Sequence, residues 1–123
     1  MKNLLKETKA ELQTAGYTPE DIVFIGSRDG EYACSWEEFE KLANFNYDDG
    51  FGGQEITDDL LIRMRDGAFF CREEYDGSEW WEFWPVPKVV KNPRPITKLR
   101  RYPGHNLSEI NDPPEWMKTG YGL

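Results

Sequence analysis

Two Asp-Gly pairs, Asp66-Gly67 and Asp76-Gly77, stand ten residues apart with aromatic and β-branched runs on either side. Asp-Gly suits a two-residue type I′ turn, in which both central residues take positive φ, and such a turn joins adjacent antiparallel strands. Residues 60–65 (LLIRMR), 68–75 (AFFCREEY) and 79–84 (EWWEFW) therefore read as a three-stranded antiparallel meander. Three strands with one apolar face are stable where a lone hairpin is not. Side chains alternate across a strand, so Trp81 and Phe83 share one face and Trp80, Glu82 and Trp84 the other. If the first face is core, the second presents two tryptophans.

The rest of the chain completes an α+β reading. Residues 2–15 have helical spacing, with Leu5, Leu12 and Ala15 near one face and Gly16 as a stop. Residues 21–26 (DIVFIG) predict a strand, Asp29-Gly30 a turn, and residues 31–34 a returning strand, giving a hairpin besides the meander. Ser35 followed by Glu38 is a capping box. It opens a second helix in which Trp36, Phe39, Leu42 and Ala43 recur at helical spacing. Residues 44–59 (NFNYDDGFGGQEITDD) predict an irregular acidic loop.

After Trp84 the composition changes. Seven of the eight prolines lie at residue 85 or later, and proline lacks an amide donor, so an extended Pro-rich C-terminal tail is expected. Charge changes with it. Residues 1–87 carry 20 acidic and 8 basic side chains, a net of −12, and residues 88–123 carry 3 and 7, a net of +4. The expected organisation is one α+β domain over 1–87 and a basic tail over 88–123. No apolar run approaches the ~20 residues of a membrane span. The first residues lack the apolar core of a signal peptide. A cytoplasmic protein with no membrane partner is expected.

Chemistry-bearing residues are sparse. The glycines of Gly50-Phe51-Gly52-Gly53 lack the lysine and the strand-loop-helix setting of a phosphate loop, and carboxylates surround them. The same carboxylates lack the spacing of a calcium loop. Cys34, Cys71 and His105 are the soft ligands available to zinc, but they are isolated in sequence where zinc sites ordinarily use close cysteine pairs. Inert thiols and no metal or other cofactor are expected, with zinc as the alternative. The single histidine has no nucleophile signature near it, and an enzyme is not expected.

Glu74-Tyr75-Asp76-Gly77-Ser78-Glu79-Trp80-Trp81-Glu82-Phe83 resembles a motif in a family of small phage and prophage accessory proteins. There it follows a loop similar to Asp49-Gly50-Phe51-Gly52-Gly53-Gln54-Glu55, and here both segments occur in that order over roughly residues 20–87. The resemblance implies a phage genomic context rather than a particular chemistry. Together with the charge it points to an inhibitor of anti-CRISPR or similar anti-defence type, working as a DNA mimic in the host cytoplasm. The expected partner is a host protein with a basic nucleic-acid-binding surface, such as a CRISPR effector. The expected binding residues are Asp48, Asp49, Glu55, Asp58 and Asp59, with Trp80 and Trp84 on the open face. Direct nucleic-acid binding by the basic tail is disfavoured, because a −12 domain repels phosphate. The alternatives are a small phage structural or assembly protein and a zinc-stabilised binding module.

Overall fold

A computed structural model of the chain describes residues 1–48, 50, 52–102 and 104–116. It is α+β, and it divides into two units, residues 1–87 and 88–123. The first unit runs β1 (Lys2–Asn3), α1 (Leu4–Thr14), a 3-10 turn (Pro19–Asp21), β2 (Ile22–Ser27), α2 (Trp36–Leu42), β3 (Asn46–Tyr47), β4 (Leu60–Met64), β5 (Phe69–Tyr75) and β6 (Ser78–Trp84). The meander is present as β4-β5-β6, with β5 and β6 paired without interruption from Phe69↔Trp84 to Tyr75↔Ser78. Asp76 (φ 51°) and Gly77 (φ 87°) are both left-handed, as a type I′ turn requires.

Of the predicted first hairpin only a short antiparallel bridge forms. β2 pairs antiparallel with β4, so one four-stranded sheet of order β2-β4-β5-β6 replaces a hairpin plus a meander. Residues 31–34 make only an isolated bridge, Gly26↔Ala33. The cause is local. The Asp29 carboxylate accepts from the Glu31 N–H and the Ser27 hydroxyl, and the Ser27 hydroxyl accepts from the Tyr32 N–H, so residues 27–32 close as a tight turn. The Ser35 capping box then starts α2 at once: Ser35 Oγ accepts from Glu38 N at 3.1 Å and the Glu38 carboxylate accepts from Ser35 N at 3.0 Å. Too little chain is left for a strand. A second departure lies in the acidic loop, where β3 pairs with β1 as a two-stranded ribbon (Lys2↔Tyr47, Asn3↔Asn46).

Register assigns the two faces of the sheet. Ile25, Ile62, Met64, Phe70, Arg72 and Trp81 point to one side and are buried. They form the core with Leu4 and Leu12 of α1, Phe39 and Ala43 at α2, and Tyr47 and Ile56 from the segment between. Each large apolar side chain so buried stabilises by about 1.5–3 kcal/mol. The buried face of α1 is Leu4, Thr8 and Leu12, not Leu5, Leu12 and Ala15, and Leu42 of α2 is exposed. Phe24, Leu61, Arg63, Phe69, Cys71, Glu73, Trp80, Glu82 and Trp84 lie on the open face.

The second unit contains more order than an extended tail. Asn106 caps a short helix, α3 (Leu107–Asn111), by accepting from Glu109 N at 2.9 Å. The Asn111 side chain accepts from Thr97 N and Lys98 N, each at 2.8 Å, and donates to the Lys98 and Leu107 carbonyls. One amide thus fastens the extended segment around Thr97 to α3. Among the described residues no helix is long and apolar enough to cross a membrane.

Candidate functional site: the glycine loop on the last hairpin

Beneath the acidic loop lies a buried polar cluster. The two-residue turn sets Arg72 opposite Trp81, on the core face, and its side chain is wholly buried. Its guanidinium donates to Glu7 Oε2 (3.1 Å), Tyr47 Oη (3.1 Å) and Glu79 Oε1 (3.3 Å). It also stands over the rings of Trp81 and Tyr47, with Cζ 5.1 and 5.7 Å from their centroids. The Tyr47 hydroxyl donates to Glu7, and Trp81 Nε1 donates to Thr8 Oγ1 at 2.9 Å. Burial works against the charge on Arg72. The Tyr47 hydrogen bond and the Glu7 carboxylate outweigh it, and the guanidinium ends above its ordinary pKa. Burial, followed by the hydrogen bond to Glu7, pushes the Tyr47 phenol up. A buried charge survives only when paired and hydrogen-bonded, and here two carboxylates and two electron-rich rings do that.

Glu79 connects this cluster to the loop. Its side chain is also wholly buried, and it accepts from Glu55 N at 2.7 Å and Ile56 N at 3.1 Å as well as from Arg72. The Glu55 carboxylate in turn accepts from Asp48 N, and Asp48 Oδ1 accepts from Gly50 N at 3.1 Å. The loop rests on the β5–β6 turn. A Cβ placed on Gly77 would sit 3.1 Å from the Gly52 carbonyl oxygen, so glycine is needed there for close approach as well as for its positive φ. Gly52 of the loop and Gly77 of the turn are therefore in close approach.

The predicted binding residues separate into four groups. Asp48 and Glu55 close the loop on itself. Asp49 lies outside the described residues. Asp58 and Asp59 are exposed and line a concavity of about 410 Å³ with Arg28, Gln54, Arg72, Glu73 and Glu74. Four carboxylates there face one half-exposed guanidinium: Arg28 Nη2 lies 3.7 Å from Glu73 Oε1 and donates to the Arg72 carbonyl at 3.2 Å. The sequence reading missed Glu73, Glu74 and Arg28, although Glu73 stands beside the predicted patch as the cross-strand neighbour of Trp80. Trp80 and Trp84 do share the open face. The Trp84 ring stacks on Phe69 at 6.1 Å, and Trp80 Nε1 donates to Glu82 at 2.8 Å.

Cys34 and Cys71 do not face each other. Cys34 packs beside the core, whereas Cys71 projects from the open face between Leu61 and Glu82 and donates to Glu73 Oε1 at 3.6 Å. Burial raises the pKa of both thiols, which favours the unreactive form. In the second unit the His105 ring meets the Arg101 guanidinium. Among the described residues no three His, Cys, Asp or Glu side chains are grouped to hold a metal. What the arrangement offers is carboxylate-rich recognition of cationic groups beside an aromatic face. No protein-family model matches the chain, and neither a curated protein nor a solved structure matches it.

Proposed function

We propose that this protein acts by binding, as a phage-encoded accessory factor that occupies the basic nucleic-acid-binding surface of a host defence protein and so inhibits it. The observation that carries the reading is the gathering of Asp58, Asp59, Glu73 and Glu74 around one concavity, on a unit with a net charge of −12. Duplex DNA presents about one negative charge per 1.7 Å, and a rigid array of carboxylates competes for the same cationic channel. Anchoring the loop through Glu79 supports this, because a preordered loop loses little entropy on binding. The sequence resemblance supplies the phage context.

The test is affinity capture from bacterial lysate with the full chain and with a variant carrying Asp58→Asn, Asp59→Asn and Glu74→Gln. All three side chains are exposed; Asp58 and Asp59 lie outside the loop-closing hydrogen bonds, and Glu74 accepts from Gly77 N at 3.2 Å, a bond the glutamine oxygen keeps. A nucleic-acid-handling protein should be retained, be displaced by duplex DNA, and associate more slowly with the variant at low salt. A partner indifferent to both DNA and the substitutions would refute the proposal.

A further inference from the structure

The two edges of the four-stranded sheet are treated differently. The β2 edge is guarded: its register slips between Ile22 and Phe24, and residues 31–34 fold back over it, with Cys34 N donating to the Ile25 carbonyl at 2.9 Å and Ser27 N to the Tyr32 carbonyl at 3.0 Å. The β6 edge lacks most of the usual guards. It is seven residues long, contains no Pro or Lys, and pairs with β5 without a bulge. Such an edge is a template for another strand.

Register identifies its free groups. The two-residue turn closes on Tyr75↔Ser78 as a hydrogen-bonded pair, and antiparallel pairs alternate. Trp80, Glu82 and Trp84 therefore bond inward to β5, while the backbone N–H and C=O of Glu79, Trp81 and Phe83 point outward. Among the described residues no backbone hydrogen bond reaches these groups from elsewhere. Glu79 points inward with a charge, which ordinarily guards an edge, but Arg72 and two loop amides already compensate that charge.

We infer that β6 is a strand-addition site for an extended basic segment of the partner protein. An added strand would lay alternate side chains over Trp80 and Trp84, the latter half exposed and stacked on Phe69, with cationic ones beside Glu82. Main-chain bonds along the edge give affinity, and the side-chain alternation gives specificity. The partner's positive charge rests on the reading above. The net −12 of this unit disfavours a second copy as the added strand.

The experiment uses the full chain and three capped eight-residue peptides: alternating Lys and Val, the same with two central prolines, and alternating Glu and Val. Amide hydrogen exchange is followed by NMR. Saturating Lys-Val peptide should slow exchange at Glu79, Trp81 and Phe83 at least tenfold and leave Trp80 and Glu82 unchanged, and the proline peptide should bind at least tenfold more weakly. Equal binding of the proline peptide, or protection confined to residues 48–59, overturns strand addition while leaving the basic-partner reading standing. Equal binding of the Glu-Val peptide with alternating protection overturns the basic partner instead. Absence of binding by all three overturns the inference.

Discussion

Glu79→Gln is the most informative single perturbation of this fold. The carboxylate accepts three hydrogen bonds, from Glu55 N, Ile56 N and Arg72 Nη2. A glutamine amide has one acceptor oxygen and one NH2. Either orientation sets a donor against a donor, at Glu55 N or at Ile56 N together with Arg72. A buried donor left unsatisfied costs about 1–3 kcal/mol. Breaking a buried ion pair costs about 3–5 kcal/mol when no partner remains. Arg72 keeps Glu7, so the second contribution is partial. The expected total is about 3–4 kcal/mol, which for a domain of this size lowers the melting temperature by about 15–25 °C. Urea unfolding followed by tryptophan fluorescence gives the loss, and amide exchange at Glu55 and Ile56 locates it. Arg72→Met combined with Glu79→Met should recover only the Arg72–Glu79 share of the single-change costs, because Glu7 then loses its guanidinium and the Glu55 and Ile56 amides stay without an acceptor. A Glu79→Gln loss below about 1 kcal/mol with unchanged exchange at both amides would refute the reasoning.

Trp81→Ala removes a buried ring, its hydrogen bond to Thr8 and a face of the Arg72 cage, and should cost about 3–5 kcal/mol in the same denaturation assay. Gly26→Ala should lose about 3 kcal/mol or more, since its Cβ would lie 1.9 Å from the Tyr32 carbonyl oxygen, and near-UV circular dichroism should report the displaced 27–34 turn. Burial, then the hydrogen bond to Asp66, pushes the Tyr17 phenol up to about 12 from 10.0. A raised folded-state pKa means that its stabilisation is complete below pH 10 and is lost as pH climbs through about 12. Tyr17→Phe should therefore flatten the decline in unfolding free energy over that interval, as read by urea titrations at fixed pH.

The meander was legible because Asp76-Gly77 dictates both turn type and pairing, and the same counting separates Trp81 from Trp80 and Trp84. The neighbouring Asp29-Gly30 misled, because Ser27 and Asp29 direct their side chains into the backbone there and shorten the returning segment. Arg72 was hidden for another reason. Arginine is rarely buried, so its residue type argues for the surface, although its position opposite Trp81 argues for the core. Position prevailed because Glu7, 65 residues away in sequence, and Tyr47 and Glu79 all converge on it. The acidic concavity was half visible. Asp58 and Asp59 stood out by local charge density, whereas Glu73, Glu74 and Arg28 join them only once β4 brings β5 and the end of β2 into one sheet.

The anchoring of residues 48–56 by Glu79 separates the loop's shape from its charge. The shape comes from a carboxylate inside the protein and from Gly77 beneath, while the charge of the neighbouring concavity comes from Asp58, Asp59 and Glu74, none of which is buried. Substitutions at Asp58 and Asp59 alter the charge of the surface without altering the frame that displays it, whereas Glu74 also holds Gly77 N at 3.2 Å. In a chain built this way surface charge can change by small steps while the fold is kept at each one.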